Sequence, residues 1–410
     1  MTKPLSSKNH FRINTMAFLI SYVLDSIKKR ANLLVLTILL IGSTCSTAQT
    51  FEWAKTYQGT STSTCWSVTT DSWGNVYSTG TFSGTVDFDP GPGTYNVTSL
   101  RNSTGFIQKL DPNGIFLWVK VLGDGSREIT VDKSGNIYSF NLFSLTKDFD
   151  PGVGTSNLTS AGGIDLAIIK LDSNGNFIWA KKIGGSNDIY VEAVNTDAND
   201  NLYITGYFQG TIDFNPGFGT YNITASGSSN AYVLKLDSNG NINWARAFLG
   251  SVQSYGNSID LDSSGNIYTA GYFAGTVDFD PGPGVDNHTA NGANYDAYIQ
   301  KMDANGSLLW VVTYGGFAND YCESIAVDKT GNVYATGGYQ ATVDFDPGTG
   351  VHNLSSSHVL DAFVQKLDAN GNFIWVKSMG GPQDQVGKSI RLDSLDHIYT
   401  AGQFSNKIYF

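Results

Sequence analysis

From about residue 49 onward the chain is a succession of short runs in which apolar side chains alternate with small or polar ones, separated by Asp-, Gly- and Asn-rich breaks. Such alternation predicts β-strands joined by tight turns, and the density of breaks and β-branched residues excludes stacked helix pairs. The runs recur as a unit of about 65 residues, best preserved from Ser324 to Trp375: SIAVDKTGNVYATGGYQATVDFDPGTGVHNLSSSHVLDAFVQKLDANGNFIW. Its first predicted strand, SIAVD, has counterparts ending at Asp71, Asp132, Asp197, Asp262 and Asp393. Its second, NVYATG, has counterparts beginning at Asn75, Asn136, Asn201, Asn266 and His397. Asp-x-x-Gly-Asn joins the two, a hairpin loop in which Asp closes an Asx turn and Gly takes a left-handed conformation. Asp200 and Asp396 replace that Gly in two copies, and Asp is among the residues that best tolerate positive φ.

A second hairpin of the same design follows in DAFVQKLDANGNFIWVK, with its loop at Asp368 and matches at Asp111, Asp172, Asp237 and Asp303. Two hairpins in series make a four-stranded meander. Phe363 beside Val364, and Ile374 beside Trp375, make its later strands apolar on both faces, as expected of a sheet packed between two others. Radially stacked four-stranded sheets form a β-propeller. The expected fold is therefore all-β: a β-propeller over residues 49–410, built from about 65-residue four-stranded blade repeats, six units in all with the last incomplete. FEWAKTYQG, at its start, matches the closing strand of a unit. The Trp of that strand recurs at Trp53, Trp118, Trp179, Trp244, Trp310 and Trp375, with spacings of 65, 61, 65, 66 and 65. The final KIYF falls inside a repeat, with Tyr409 and Phe410 aligned to its insert, so we read the chain as truncated at its C-terminus.

The first 48 residues differ. Lys28, Lys29 and Arg30 precede the apolar run from Leu33 to Ile41, and Ser46-Thr47-Ala48 follows, the order of a secretory signal peptide over residues 1–48. The apolar run is too short to cross a bilayer about 30 Å thick, so no membrane insertion is expected after cleavage. Removing the leader takes six of the 25 basic and one of the 36 acidic residues, leaving 19 against 35 and a net charge near −16. Such a surface repels nucleic acid and favours divalent cations. Cys65 and Cys322 occupy one register in non-neighbouring units, too far apart to bond, and are expected as free, partly buried thiols.

The joint pattern D-x-x-G-N-[VI]-Y-x-[TA]-G, then D-A-[FY]-[VI]-x-K-[LM]-D-x-x-G-x-x-x-W, resembles the SBBP repeat, named for seven-bladed β-propellers, and covers nearly all of the mature chain. The resemblance implies a secreted or outer-surface protein of Bacteroidetes-like bacteria, with adhesive modules and a type IX secretion sorting domain commonly following. It brings no established catalytic residues.

Between the second and third strands lies an insert, TVDFDPGPG, whose Asp-Phe-Asp core starts at Asp87, Asp148, Asp213, Asp278 and Asp344. Alternation sets Val86 and Phe88 on one face and Asp87 and Asp89 on the other. Paired carboxylates beside turn carbonyls could begin a calcium site, so Asp87, Asp89, Asp148, Asp150, Asp213, Asp278, Asp280, Asp344 and Asp346 are candidate calcium ligands. The competing reading is a half-buried strand ended by Pro-Gly. The periodic Trp residues offer sugar-stacking faces or, from their strict period, packing slots. Lys109, Lys170, Lys235, Lys301 and Lys366 read as snorkelling edge residues. Asn-x-Thr/Ser at Asn96, Asn157, Asn222, Asn287 and Asn353 shares one register, the mark of repeat inheritance. His288, His352, His358 and His397 match no metal-ligand spacing. Arg101, Arg127, Arg246 and Arg391 share no register, which disfavours a sialidase-like site, and a propeller glycosidase would need two carboxylates at a central cleft. The expectation is a non-enzymatic binding or adhesion scaffold that requires no cofactor. Its partner would be an extracellular polysaccharide or a surface protein, and recognition is expected on loops after Ser83-Gly84, Phe143-Ser144, Gln209-Gly210 and Ala274-Gly275. The alternative is a calcium-stabilised spacer.

Overall fold

The computed structural model describes residues 52–99, 101, 103–356 and 359–405, so the expected leader, His358 and the closing KIYF lie outside the described residues. Five four-stranded antiparallel blades occupy residues 63–122, 126–185, 189–248, 253–314 and 321–379, followed by a hairpin over 385–404. In the third blade the strands are Ile189–Thr196, Leu202–Phe208, Asn230–Leu236 and Ile242–Phe248, paired in that order. First strands of successive blades pack against one another and form the inner wall. The protein is an all-β propeller.

The core lies between blades. Tyr138, Phe140 and Ile168 of the second blade cluster with Leu202, Ile204 and Leu234 of the third, and equivalent clusters fill the other seams. Third strands are buried on both faces. Fourth strands are not: Ile374 is 45% exposed, as are Leu117, Ile178 and Leu309 at the same register to similar degrees. Among the described residues no sheet stacks outside these strands, so only alternate residues are covered.

The Asp-x-x-Gly turns form as their chemistry demands. Asp71 Oδ1 accepts the N–H groups of Trp73 and Asn75 at 3.0 and 2.9 Å, while Oδ2 accepts the Asn75 side-chain amide and the Tyr77 hydroxyl at 2.8 and 3.0 Å. Burial works against ionisation of this carboxyl, but the bonds outweigh it and hold its pKa below the usual carboxylate value. Asp200 and Asp396 take φ of 62° and 63° where other copies have Gly.

The insert is a hairpin rather than a single strand. Thr85–Asp87 pairs with Asn96–Thr98, so the recurrent Asn-x-Thr is its return arm. Val86 and Phe88 are fully buried and plug the seam. The free edge of the third blade's insert takes up the tail of the second blade's fourth strand, at Gly184↔Asp213 and Gly185↔Ile212, and the fourth blade's insert meets the chain after the third blade by one bridge, Gly250↔Val277. FEWAKTYQG is corrected accordingly: among its described residues, 52–59, only Gln58–Gly59 is strand, paired with Val86 and Asp87 of the insert and not with a third strand.

A second contact joins each blade to the next. Trp53, Trp118, Trp179, Trp244 and Trp310 each rest on the Gly of the second hairpin turn in the following blade; a Cβ on Gly240 would lie 2.8 Å from Trp179, and one on Gly371 3.1 Å from Trp310. Trp310 Nε1 also donates to Ala369 O at 3.1 Å. The third-strand lysines are not snorkelling edge residues. Lys109, Lys170 and Lys301 are buried, and their ammonium groups donate to Ser173 O, Ser238 O and Ala369 O of the next blade's turn at 3.0, 2.9 and 3.2 Å. Each also lies over the Tyr ring of its own second strand, at 4.7 to 4.9 Å. The turn of the neighbouring blade folds over what looked like an open flank. The two thiols differ as well: both are free, but Cys65 is exposed, whereas Cys322 is fully buried in the cluster between the fourth and fifth blades.

Two stability measurements check this account. Gly240→Ala meets both positive φ (71°) and the Trp179 ring, whereas Gly265→Ala, in a like turn at φ 79°, meets only Ala304 at 3.9 Å. Both should destabilise, with Gly240→Ala costing about 1–2 kcal/mol more in chemical denaturation. Asp296 concerns pH. Burial pushes its carboxyl up to about 6, against one lowering bond from Asn291 N–H, and its Oδ1 has no partner. A raised carboxyl favours folding only while protonated, so stability falls as pH rises from about 4 through about 6. Asn230 fills this register in the third blade, accepting from Ser226 N–H and donating to Ser254 Oγ. Asp296→Asn should therefore match the parent near pH 4 and exceed it by on the order of 2 kcal/mol near pH 8.

Candidate functional site

The first strand of every blade carries a β-bulge at one register, since pairing with the second strand skips one residue. The skipped residues are Trp66, Arg127, Glu192, Asn257, Glu323 and Lys388. A bulge re-aims its extra side chain, and four of the six, Glu192, Asn257, Glu323 and Lys388, face one cavity. The Gly of the Tyr-x-Thr/Ala-Gly motif exists for the bulge: a Cβ on Gly271 would lie 1.8 Å from Tyr255 O. Direct contacts link the ring. Lys388 Nζ pairs with Glu323 Oε1 at 2.6 Å, Asn257 Nδ2 reaches Glu323 Oε2 at 3.4 Å, and the Arg127 guanidinium lies 4.7 Å over Trp66.

Two residues before the bulge the third, fourth and fifth blades place Tyr190, Tyr255 and Tyr321, where the first, second and sixth units have Thr64, Gly125 and Val386. Tyr207 and Tyr272 face the first two across the strand pair, with ring centroids 4.6 and 4.7 Å apart. Tyr207 meets Tyr255, and Tyr272 meets Tyr321, across the blade seams at 4.7 and 4.9 Å. Tyr295 closes the group, donating to Gln253 Oε1 at 2.6 Å. The result is a continuous, half-buried aromatic ladder.

Glu192, Tyr207, Tyr255, Asn257, Tyr272, Tyr321, Glu323 and Lys388 line a cavity of about 560 Å³, within the range of small-ligand sites. Burial raises the Glu192 carboxyl, the Arg127 charge lowers it and Glu323 raises it further. Burial, with the charge of Glu192, pushes Tyr207 up to about 12. Deeper in, Glu128 accepts from Ser67 Oγ at 2.9 Å, and burial pushes it up to about 7. Arg391 of the last hairpin acts on both Glu128 and Asp260, so the second, fourth and sixth units converge there.

The candidate calcium ligands lie elsewhere, one pair per insert. Asp87 Oδ1 accepts from Asp89 N and Tyr95 N at 3.0 and 2.8 Å, and Asp89 Oδ1 from Gly91 N at 2.8 Å. Asp148 with Asp150, Asp278 with Asp280, and Asp344 with Asp346 repeat this. In the third blade Asp213 keeps company with Asn215, whose Oδ1 accepts from Gly217 N in the same way, so the turn needs an acceptor and not a charge. Among the described residues no three His, Cys, Asp or Glu side chains gather as a metal would require. The periodic Trp residues are in the seams. The axial ring is hard to see in the sequence because its residues share a register while changing identity from unit to unit, Glu alone occurring twice; the signal lies in aligned units, with Tyr in three of six two residues before the bulge.

No family model matches the chain. It is 26% identical, over 419 aligned residues, to an uncharacterized WD repeat-containing protein, L264, of Acanthamoeba polyphaga mimivirus, covering 82% of this chain and 30% of that protein. It is 28% identical over 108 residues to the regulatory protein FlaEY of Caulobacter vibrioides, covering 26% of this chain and 11% of that one. The chain thus spans less than a third of either relative. Among solved structures, it is similar to a protein of unknown function from Bacteroides caccae (12% identity, TM-score 0.33, 77% and 82% of the two chains). Another is the PQQ domain of pyranose dehydrogenase from Coprinopsis cinerea (11%, TM-score 0.36, 86% and 93%). At these TM-scores the likenesses carry no argument, and the propeller rests on the registers above. No helix among the described residues is long and apolar enough to cross a membrane.

The calcium-stabilised spacer predicts a melting temperature that rises in millimolar calcium and falls with chelator; an unchanged melt removes it.

Proposed function

We propose that this propeller is a non-enzymatic binding module of the SBBP type, secreted or held at the cell surface, that takes its ligand at the axial cavity rather than on the loops after the second strands. One observation carries the reading: repeated residues here serve turns and seams, whereas the tyrosine ladder and bulge ring break the repeat and converge on one cavity. The ligand belongs to a polysaccharide or a surface protein, and aromatic faces beside polar side chains suit either.

A second reading, a glycosidase, has a specific observation behind it, because Glu192 and Glu323 both line the central cavity. Such chemistry needs two available carboxyl groups, and both oxygens of Glu323 are engaged by Lys388 and Asn257. We therefore favour binding. The test is a glycan array and a panel of purified surface proteins, probed with the parent and with the double variant Tyr255→Ala, Tyr272→Ala. Selective binding by the parent should fall at least about tenfold in the variant. Hydrolysis of a glycoside panel that is lost in Glu192→Gln would instead establish the enzyme, and no selective partner on either panel would leave a spacer.

A further inference from the structure

We infer that the axial cavity takes an organic cation, an alkylammonium or guanidinium group carried on a larger molecule. This rests on the axial-cavity reading and adds the chemistry of the group that enters.

Glu192 carries the argument. Among the described residues it makes no hydrogen bond or ion pair, and the Arg127 charge reaches it only at longer range. The cations nearby are engaged elsewhere: Lys388 with Glu323, and Arg127 on the Trp66 ring. One carboxylate therefore faces the cavity without a counter-charge of its own. Around it stand Tyr207, Tyr255, Tyr272 and Tyr321. The faces of such rings carry negative potential and attract ammonium and guanidinium groups within about 6 Å. The protein already uses this chemistry on itself. Lys109, Lys170, Lys235, Lys301 and Lys366 each sit 4.6 to 4.9 Å over a Tyr ring, and each of those rings belongs to a second strand, as do Tyr207 and Tyr272. The net charge of −11 draws cations toward the molecule. At about 560 Å³ the cavity exceeds a lone ammonium group, so the cation arrives as the tip of a chain, either a basic side chain of a protein or an amine-bearing polysaccharide.

Isothermal titration of the full chain at about pH 8 and low salt, where carboxylates are ionised, would use Nα-acetyl-lysine amide, Nα-acetyl-arginine amide, glucosamine and tetramethylammonium, with maltotetraose as the neutral probe. The cationic probes should bind with dissociation constants on the order of 1 mM, weakening as salt is added. Glu192→Gln and Tyr272→Ala should each weaken them roughly tenfold or more, and circular dichroism would verify that both variants fold. A lysine or arginine probe outranking glucosamine points to a protein partner, and the reverse order to a polysaccharide; either supports the inference. Binding of maltotetraose alone, lost in Tyr272→Ala, would overturn the cation and leave the axial site standing. Cation binding that both variants retain would overturn both. No cation binding up to about 50 mM would overturn the inference.

Discussion

The structure depends on how one blade grips the next. A four-stranded sheet of this size cannot bury both its faces alone, and here the larger apolar clusters span two neighbouring blades. Two devices recur from seam to seam, a Trp on a Gly turn and a Lys donating to that turn's carbonyl, and between the second and third blades a third joins them, an insert hairpin that takes up the tail of the preceding strand. All three run in one direction, from a blade to its successor. Removing a turn therefore leaves a Trp uncovered and an ammonium group without an acceptor in the blade before.

That dependence explains what the sequence made legible. Residues needed in every seam must recur in every unit, so Trp, Lys, the turn Asp and the turn Gly stood out, and with them the strand order and blade length. The turns were readable because Asp and Gly act locally, within five residues. Lys170 was misread because its acceptor, Ser238, lies 68 residues away. Ile374 was misread because the blade is open on its outer side, and the Asn-x-Thr triplets were legible as a repeat but not as half of a hairpin.

The axial site was hidden for the opposite reason. A residue that meets a ligand has no cause to recur, and a search for shared motifs passes over it. Trp66, Arg127, Glu192, Asn257, Glu323 and Lys388 comprise five residue types, with Glu alone occurring twice; they share a backbone position, which alternation alone does not reveal because a bulge breaks alternation. The Asp-rich inserts drew attention instead, although Asn215 shows that their carboxylates act mainly as hydrogen-bond acceptors for their own loops.

The bulge has a bearing on how such a protein diversifies. Its extra residue lies outside the pairing register and outside the seams, while the opposing Gly271 and its equivalents absorb the distortion. Identity at that position is consequently free of the strand pairing, and four of the six positions, Glu192, Asn257, Glu323 and Lys388, line one cavity. A lineage could rewrite what the axis recognises blade by blade, with the strand pairing of the scaffold unchanged.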